Sequence, residues 1–178
     1  MEELITLVDE NDREVGYAEK LAVHQKGLLH RAFSVLVFNS KGEMLIHKRA
    51  LSKYHSPGLW TNACCSHLPK GETMNEAIHS RLTFEMGIDC DLQLAFTFHY
   101  KVEFEQGLTE NELDWVFFGL SDSVPKPNSD EVDSWRYMNV SELSTDIRLN
   151  PKNYTYWFKH IMTSYFSQID SFVKSLNG

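Results

Sequence analysis

A chain of 178 residues, 42% hydrophobic and 24% charged, has the length of one domain and enough apolar material for a substantial core. The net charge of −8 argues against nucleic acid, whose phosphates need a basic face. No apolar run reaches the length of a membrane span, and the acidic start Met1-Glu2-Glu3 lacks a secretory signal's basic region, so the expectation is a cytoplasmic protein without membrane partners.

In chain order, Ile5 to Asp9 reads as a short strand and Glu10 to Arg13 as its turn. Lys20 and His24 follow, close to His30. Ala32 to Phe38, the turn Asn39-Ser40-Lys41-Gly42, and Met44 to Arg49 predict a β-hairpin apolar enough on both faces to be central in a sheet. A loop, Leu51 to Gly58, then delivers the chain to Trp60-Thr61-Asn62-Ala63-Cys64-Cys65-Ser66-His67. If that run is extended throughout, Thr61, Ala63, Cys65 and His67 face one way and Asn62 and Cys64 the other, so only one cysteine shares a face with His67. Cys64, Cys65 and Cys90 are too few and too badly spaced for a disulfide framework, and thiols are expected.

Thr73 to Glu76 is a capping-box pattern, and Ala77, Ile78, Leu82 and Met86 continue it at helical spacing as far as Gly87, predicting a helix over about Met74 to Met86. Two long strands, Ala95 to Phe104 and Leu113 to Gly119, surround a turn at Gly107. Glu110 and Glu112, two apart, share a face if the second strand starts early. A two-residue Gln106-Gly107 turn would put Tyr100 and Glu112 on opposite faces; an odd-length loop would put them on the same one. Asp122 to Val132 reads as a loop and Trp135 to Met138 as a last short strand. From Tyr154 the apolar spacing predicts one amphipathic helix of about six turns. The expected class is α/β (α+β), a mixed sheet between helices in a single domain over residues 1–178.

His24, His30, His67, Glu110 and Glu112 come from three separated stretches and would together make a mixed nitrogen and oxygen site suited to a divalent transition metal. Taken singly, each histidine is more commonly an ordinary surface or hydrogen-bonded residue. Lys20, Arg49, Lys53 and Arg81 would, if they converge, form a small anion site in an otherwise acidic protein. Arg81 and Glu85, four apart on a helix, read most simply as a solvent-exposed ion pair.

The ordered combination goes further. Glu19-Lys20, His24, Leu29 to Ser34, Lys48 to Lys53, Pro57 to Asn62, Cys64-Cys65-Ser66-His67, Gly71-Glu72, Glu85-Met86-Gly87 and Glu110-Asn111-Glu112 together resemble the type I isopentenyl-diphosphate isomerases, a branch of the Nudix superfamily. The likeness extends over the whole domain and implies a Nudix-like mixed sheet sandwiched between helices. Against the general Nudix box, Glu72, Glu85 and Gly87 are kept, but Ser80-Arg81 stands in place of Arg-Glu and Phe84 replaces the first of the paired glutamates. Ser66 stands where the box has its first glycine, and Leu68 replaces the proline common after the family's Ser-His. The alternative activity, Nudix-type diphosphate hydrolysis, loses carboxylates that hold metal and activate water.

The resemblance implies conversion of isopentenyl diphosphate to dimethylallyl diphosphate by a 1,3-proton shift, with Cys65 and Glu112 as the acid/base pair and Tyr100 as a hydroxyl partner. It implies a divalent metal, Mn2+ or Zn2+, on His24, His30, His67, Glu110 and Glu112. Mg2+ would arrive with the diphosphate at Glu85 and the backbone carbonyl of Cys65. Lys20, Arg49, Lys53 and Arg81 are implied to bind the diphosphate and Trp157 to lie beside the hydrocarbon tail. Trp157 also fits the apolar stripe of the last helix. The small-molecule substrate is the expected partner, and the chain a monomer or weak dimer.

Overall fold

The computed structural model describes residues 3–104 and 106–178. Among them a mixed sheet of nine strands is flanked by helices on both faces. The strands are β1 (Leu4–Val8), β2 (Glu14–Glu19), β3 (His30–Phe38), β4 (Glu43–Arg49), β5 (Trp60–Thr61), β6 (Cys64–His67), β7 (Leu92–Glu103), β8 (Thr109–Leu120) and β9 (Val132–Asn139). The helices are α1 (Lys20–Lys26), α2 (Met74–Met86), α3 (Val140–Leu149), α4 (Tyr156–Ser164) and α5 (Phe166–Leu176). No described helix is long and apolar enough to cross a membrane.

β3 is the axis. It pairs antiparallel with β6 on one side and parallel with β8 on the other, so its alternating side chains feed two cores. Leu36 and Phe38 pack with Met44, Val116, Phe118 and the helices after β9, while Phe33, Val35 and Val37 pack with Ala77, Ile78 and Leu82 of α2. α2 has the predicted limits: Thr73 and Glu76 form a reciprocal capping box, and Gly87 ends the helix at φ +65°. A Cβ on Gly87 would lie 2.3 Å from the Lys126 carbonyl oxygen, so the stop also lets the next loop approach the helix.

Three local expectations need correction. The β3–β4 hairpin forms its turn but pairs only at Phe38 and Met44, because β6 and β8 already occupy both edges of β3 and β4 instead pairs with β5 and β9. The strands therefore diverge and leave a gap between their far ends. The predicted six-turn terminal helix is two helices broken at Tyr165 (φ −123°, ψ 20°), whose ring stacks on Phe96 with centroids 4.1 Å apart. Both helices cover one apolar face, so their hydrophobic spacing runs on through the break. Finally, Trp60 to His67 is two short strands, and Ala63 is buried in the same core as Cys64 rather than facing the other way.

His47, on β4, is 1% exposed and its Nδ1 lies 3.0 Å from the Ala63 carbonyl. Burial, reinforced by Arg49, drives its pKa down to about 3. The native state thus keeps this imidazole neutral while the unfolded chain protonates it near 6.5. Its contribution to stability is whole above 6.5, is lost as pH falls from there toward 3, and changes no further below. His47→Gln, which preserves a donor to Ala63, should remove that dependence. In urea titrations at pH 7 and pH 5, wild type should lose about 2 kcal/mol more than the variant on acidification.

Candidate active site

Five buried ligand groups converge where α1, β3, β6 and β8 meet. α1 starts on Glu19, whose carboxylate accepts from the backbone amides of Leu21 and Ala22, and the helix turns His24 inward one turn after Lys20. Across the ladders His30 pairs with Glu112 and Ala32 with His67, bringing both imidazoles to the face that carries Glu110 and Glu112. The nearest ligand atoms of His24, His30, His67, Glu110 and Glu112 all lie within 4.8 Å of one another. His67 Nε2 is 2.9 Å from Glu112 Oε1, His30 Nε2 is 3.3 Å from it, and His24 Nε2 is 3.5 Å from Glu110 Oε2.

Two of the rings are oriented for ligation. Nδ1 of His24 sits 2.6 Å from the Lys20 carbonyl and Nδ1 of His30 sits 2.9 Å from that of Leu28. A carbonyl only accepts, so each Nδ1 carries the proton and donates, which leaves Nε2 a lone pair aimed at the carboxylates. Among the described residues, His24 Nε2, His30 Nε2 and Glu110 Oε2 have no hydrogen-bond partner although buried. Orphaned buried acceptors facing one another are costly, and a divalent cation is the group that satisfies all of them. Burial and the neighbouring Glu112 push Glu110 up. At Glu112 burial acts to raise the carboxyl, but the neighbouring Glu110 and His30 and the Tyr100 hydroxyl outweigh it and hold it down at about 2. Burial and His30 push His67 well below the usual imidazole range, keeping it neutral.

Beside this cluster opens a cleft. Its lining includes Lys20, Arg49, Lys53, Cys65, His67, Arg81, Glu85, Tyr100, Glu110, Glu112 and Trp157, so the sequence-derived candidates converge, with His24 and His30 immediately behind. The β7–β8 connection has the odd length that the common face requires: Phe104 N donates to Leu108 O across positions 105, 106 and 107. Tyr100 is accordingly the direct partner of Glu112, and its hydroxyl donates to Glu112 Oε2 at 2.7 Å. Within β6 the alternation holds. Cys65 reaches the cleft, whereas Cys64 is fully buried against α2. Burial raises the Cys65 thiol, with Arg49 opposing, so the sulfur rests protonated. Trp157 lines the cleft, packs in the core, and carries the Arg49 guanidinium 5.5 Å from its ring centroid.

The cations are held in place by partners. Lys20 pairs with Glu3, Arg49 Nη2 donates to the His55 carbonyl, and Lys53 pairs with Glu131. Arg81 Nε donates to Glu85 Oε1 at 2.6 Å, but the pair is not solvent-exposed, since Glu85 is only 5% exposed and faces the cleft. Asp114, Tyr54 and His55 also line the cleft and were not anticipated. Asp114 continues the two-residue step of Glu110 and Glu112, a signal present in the sequence; its Oδ2 accepts from Ser34. Nothing local marks His55, which packs edge-on to Trp157 and Tyr54.

The fold is a mixed sheet between helices, with a capped helix whose Glu85 reaches the cleft beside the five clustered ligand groups. Residues 28–158 match the NUDIX domain family. Solved structures agree on the fold. One from Deinococcus radiodurans has a TM-score of 0.69 at 20% identity, covering 83% of this chain and 90% of that one. A MutT protein from Methanosarcina mazei has a TM-score of 0.64 at 15% identity, covering 80% and 94%. An isopentenyl-diphosphate Delta-isomerase 2 of Aromatoleum aromaticum is 45% identical over the whole of this chain and 92% of its own length. A protein of the same name from Photorhabdus laumondii is 47% identical over 91% of this chain and 92% of its own. The chain belongs to the isopentenyl-diphosphate Delta-isomerase family of NUDIX-domain proteins.

Proposed function

We propose that the cleft interconverts isopentenyl and dimethylallyl diphosphate. The observation that carries this reading is one cavity holding a thiol, a Tyr100–Glu112 pair and a cationic wall of Arg49, Lys53 and Arg81. Moving the double bond requires adding a proton to the terminal methylene carbon and taking a different proton from the methylene next to the original alkene. Protonation of an unactivated alkene produces a tertiary carbocation-like centre, so two proton-transferring groups must flank it.

Cys65 and Glu112 project from β6 and β8, which pair with β3 at Ser34 and His30, and both line the cleft, so a substrate bound there has two proton-transferring groups within one cavity. In a reversible reaction each gives a proton in one direction and takes it in the other. Tyr100 orients the Glu112 carboxyl through its hydroxyl. The ring of Trp157 excludes water and offers a polarisable wall to developing positive charge. Lys20, Arg49, Lys53 and Arg81 bind the diphosphate, with Glu85 and the Cys65 carbonyl holding the Mg2+ that accompanies it. His24, His30, His67, Glu110 and Glu112 would hold the second divalent ion, Mn2+ or Zn2+, which would supply positive charge to tune the Glu112 carboxyl. We place the activity in the cytoplasm, in a monomer or weak dimer spanning the single domain.

Hydrolysis is disfavoured by α2 itself. Ser80 and Arg81 stand where the hydrolases carry arginine and glutamate, and Phe84, 53% exposed on the helix surface, stands where they carry the first of the paired glutamates. Isomerisation run in deuterated water should place deuterium in the dimethylallyl product, because the transferred protons exchange with solvent at the thiol and carboxyl. Phosphate release without allylic product would overturn the reading in favour of the hydrolase.

A further inference from the structure

Glu131 lies outside the cleft, at the end of the loop before β9, yet one of its oxygens serves two cleft cations. Lys53 Nζ and Arg81 Nη2 both contact Oε2, the latter at 3.0 Å. The three side chains are 16% to 28% exposed, so these pairs are partly shielded from water. The main chain around Glu131 is tied to both cation-bearing segments. Ala50 N donates to the Glu131 carbonyl and Lys53 N to that of Ala50, while Asn128 N donates to the carbonyl of Glu85 on α2 and Glu131 N to that of Asn128. The carboxylate therefore stands on a platform fixed to the elements whose side chains it gathers.

We infer that Glu131 is a positioning residue that holds Lys53 and Arg81 as a convergent pair for the diphosphate; this rests on the proposed diphosphate reading. The donor inventory allows it. Arg81 spends Nε on Glu85 and Nη2 on Glu131, leaving Nη1, and the Lys53 ammonium has three protons. Glu85 is the residue assigned to the accompanying Mg2+, so Glu131 is the carboxylate that still restrains Arg81 when Glu85 turns to the ion. Among the described residues Lys53 has no other carboxylate partner. A lysine without that tether must be ordered by the ligand, at a cost in side-chain entropy.

Glu131→Gln is isosteric, removes the charge and keeps one oxygen that can accept from Lys53 and Arg81. Binding of inorganic pyrophosphate with Mg2+ by calorimetry, with steady-state kinetics on isopentenyl diphosphate, gives the test. Wild type should bind pyrophosphate; a wild type that does not would overturn the diphosphate reading and this inference with it. Glu131→Gln should raise the pyrophosphate Kd and the substrate KM roughly tenfold, within the range for directly contacting charged groups. kcat, metal content and the ligand-free melting temperature should stay near wild type, within about 3 °C for the last. Glu131→Asp should recover part of the affinity. In a Lys53→Met background the Glu131→Gln effect should shrink, since one of its two targets is gone. Unchanged or tighter pyrophosphate binding by Glu131→Gln would overturn the inference. So would a fall in kcat or melting temperature without a rise in KM, or a variant that does not fold, because Glu131 would then be structural.

Discussion

Cys65→Ala should abolish isomerisation, by about a thousandfold or more, while Cys64→Ala keeps it. The two thiols are adjacent, and strand alternation separates them. Cys65 borders the cleft opposite Ser34, whereas Cys64 is fully buried against Ala77 and Leu82 beneath α2. Losing the Cys65 sulfur removes one of the two proposed proton carriers, leaves the five-ligand cluster untouched, and trims only a partly buried side chain at the edge of the core. Metal content and far-ultraviolet circular dichroism should accordingly match wild type. Cys64→Ala removes one buried sulfur from a packed layer, a loss of roughly 1 kcal/mol in urea titrations with little effect on kcat. Cys65→Ser separates shape from chemistry, because a hydroxyl fills the space but is a far weaker acid than a thiol; its rate should stay close to that of alanine. Wild-type turnover in Cys65→Ala would remove the thiol from the mechanism.

The parts of this site that could be read from the sequence are those fixed by parity or by contiguous motifs. The Cys64 and Cys65 distinction and the common face of Glu110 and Glu112 follow from a period of two, and α2 followed from its cap, its periodicity and Gly87. Other parts depend on partners distant in sequence. α1 is seven residues long and capped by a glutamate, which is not a usual capping residue, so the turn that aims His24 inward left little trace. α3 and β2 were likewise not anticipated. The divergence of β3 from β4 arises because β6 and β8 pair with β3, a competition invisible from the hairpin alone. It also opens the gap lined by Arg49 on one side and Ser34 and Cys65 on the other. Glu131 sits in a polar loop whose composition gives no reason to link it to Lys53, seventy-eight positions earlier, or to Arg81 on α2.

His67→Ala should lose the tightly held divalent ion, falling from about one per chain to roughly a tenth or less after dialysis, as read by elemental analysis. This imidazole closes the ring of ligands from the β6 side, its centroid 4.9 Å from those of both His24 and His30. Its removal leaves two histidines whose Nε2 lone pairs face two adjacent carboxylates. Glu112 belongs to both the ligand cluster and the proposed acid/base pair, so the variant should be inactive even with Cys65 intact. Acidification should release the ion from wild type, because each ligand nitrogen must be unprotonated. Protonation is favoured at His24: burial works against its cationic form, but Glu110 beside it more than compensates and raises its pKa. Stability provides a readout independent of activity. An ion bound only by the native state at a thousand times its Kd stabilises by about 4 kcal/mol, so a chelator should lower the melting temperature of wild type and leave that of His67→Ala almost unmoved. Active wild-type protein that holds almost no metal after dialysis, with a melting temperature indifferent to the chelator, would overturn the three-histidine, two-glutamate site.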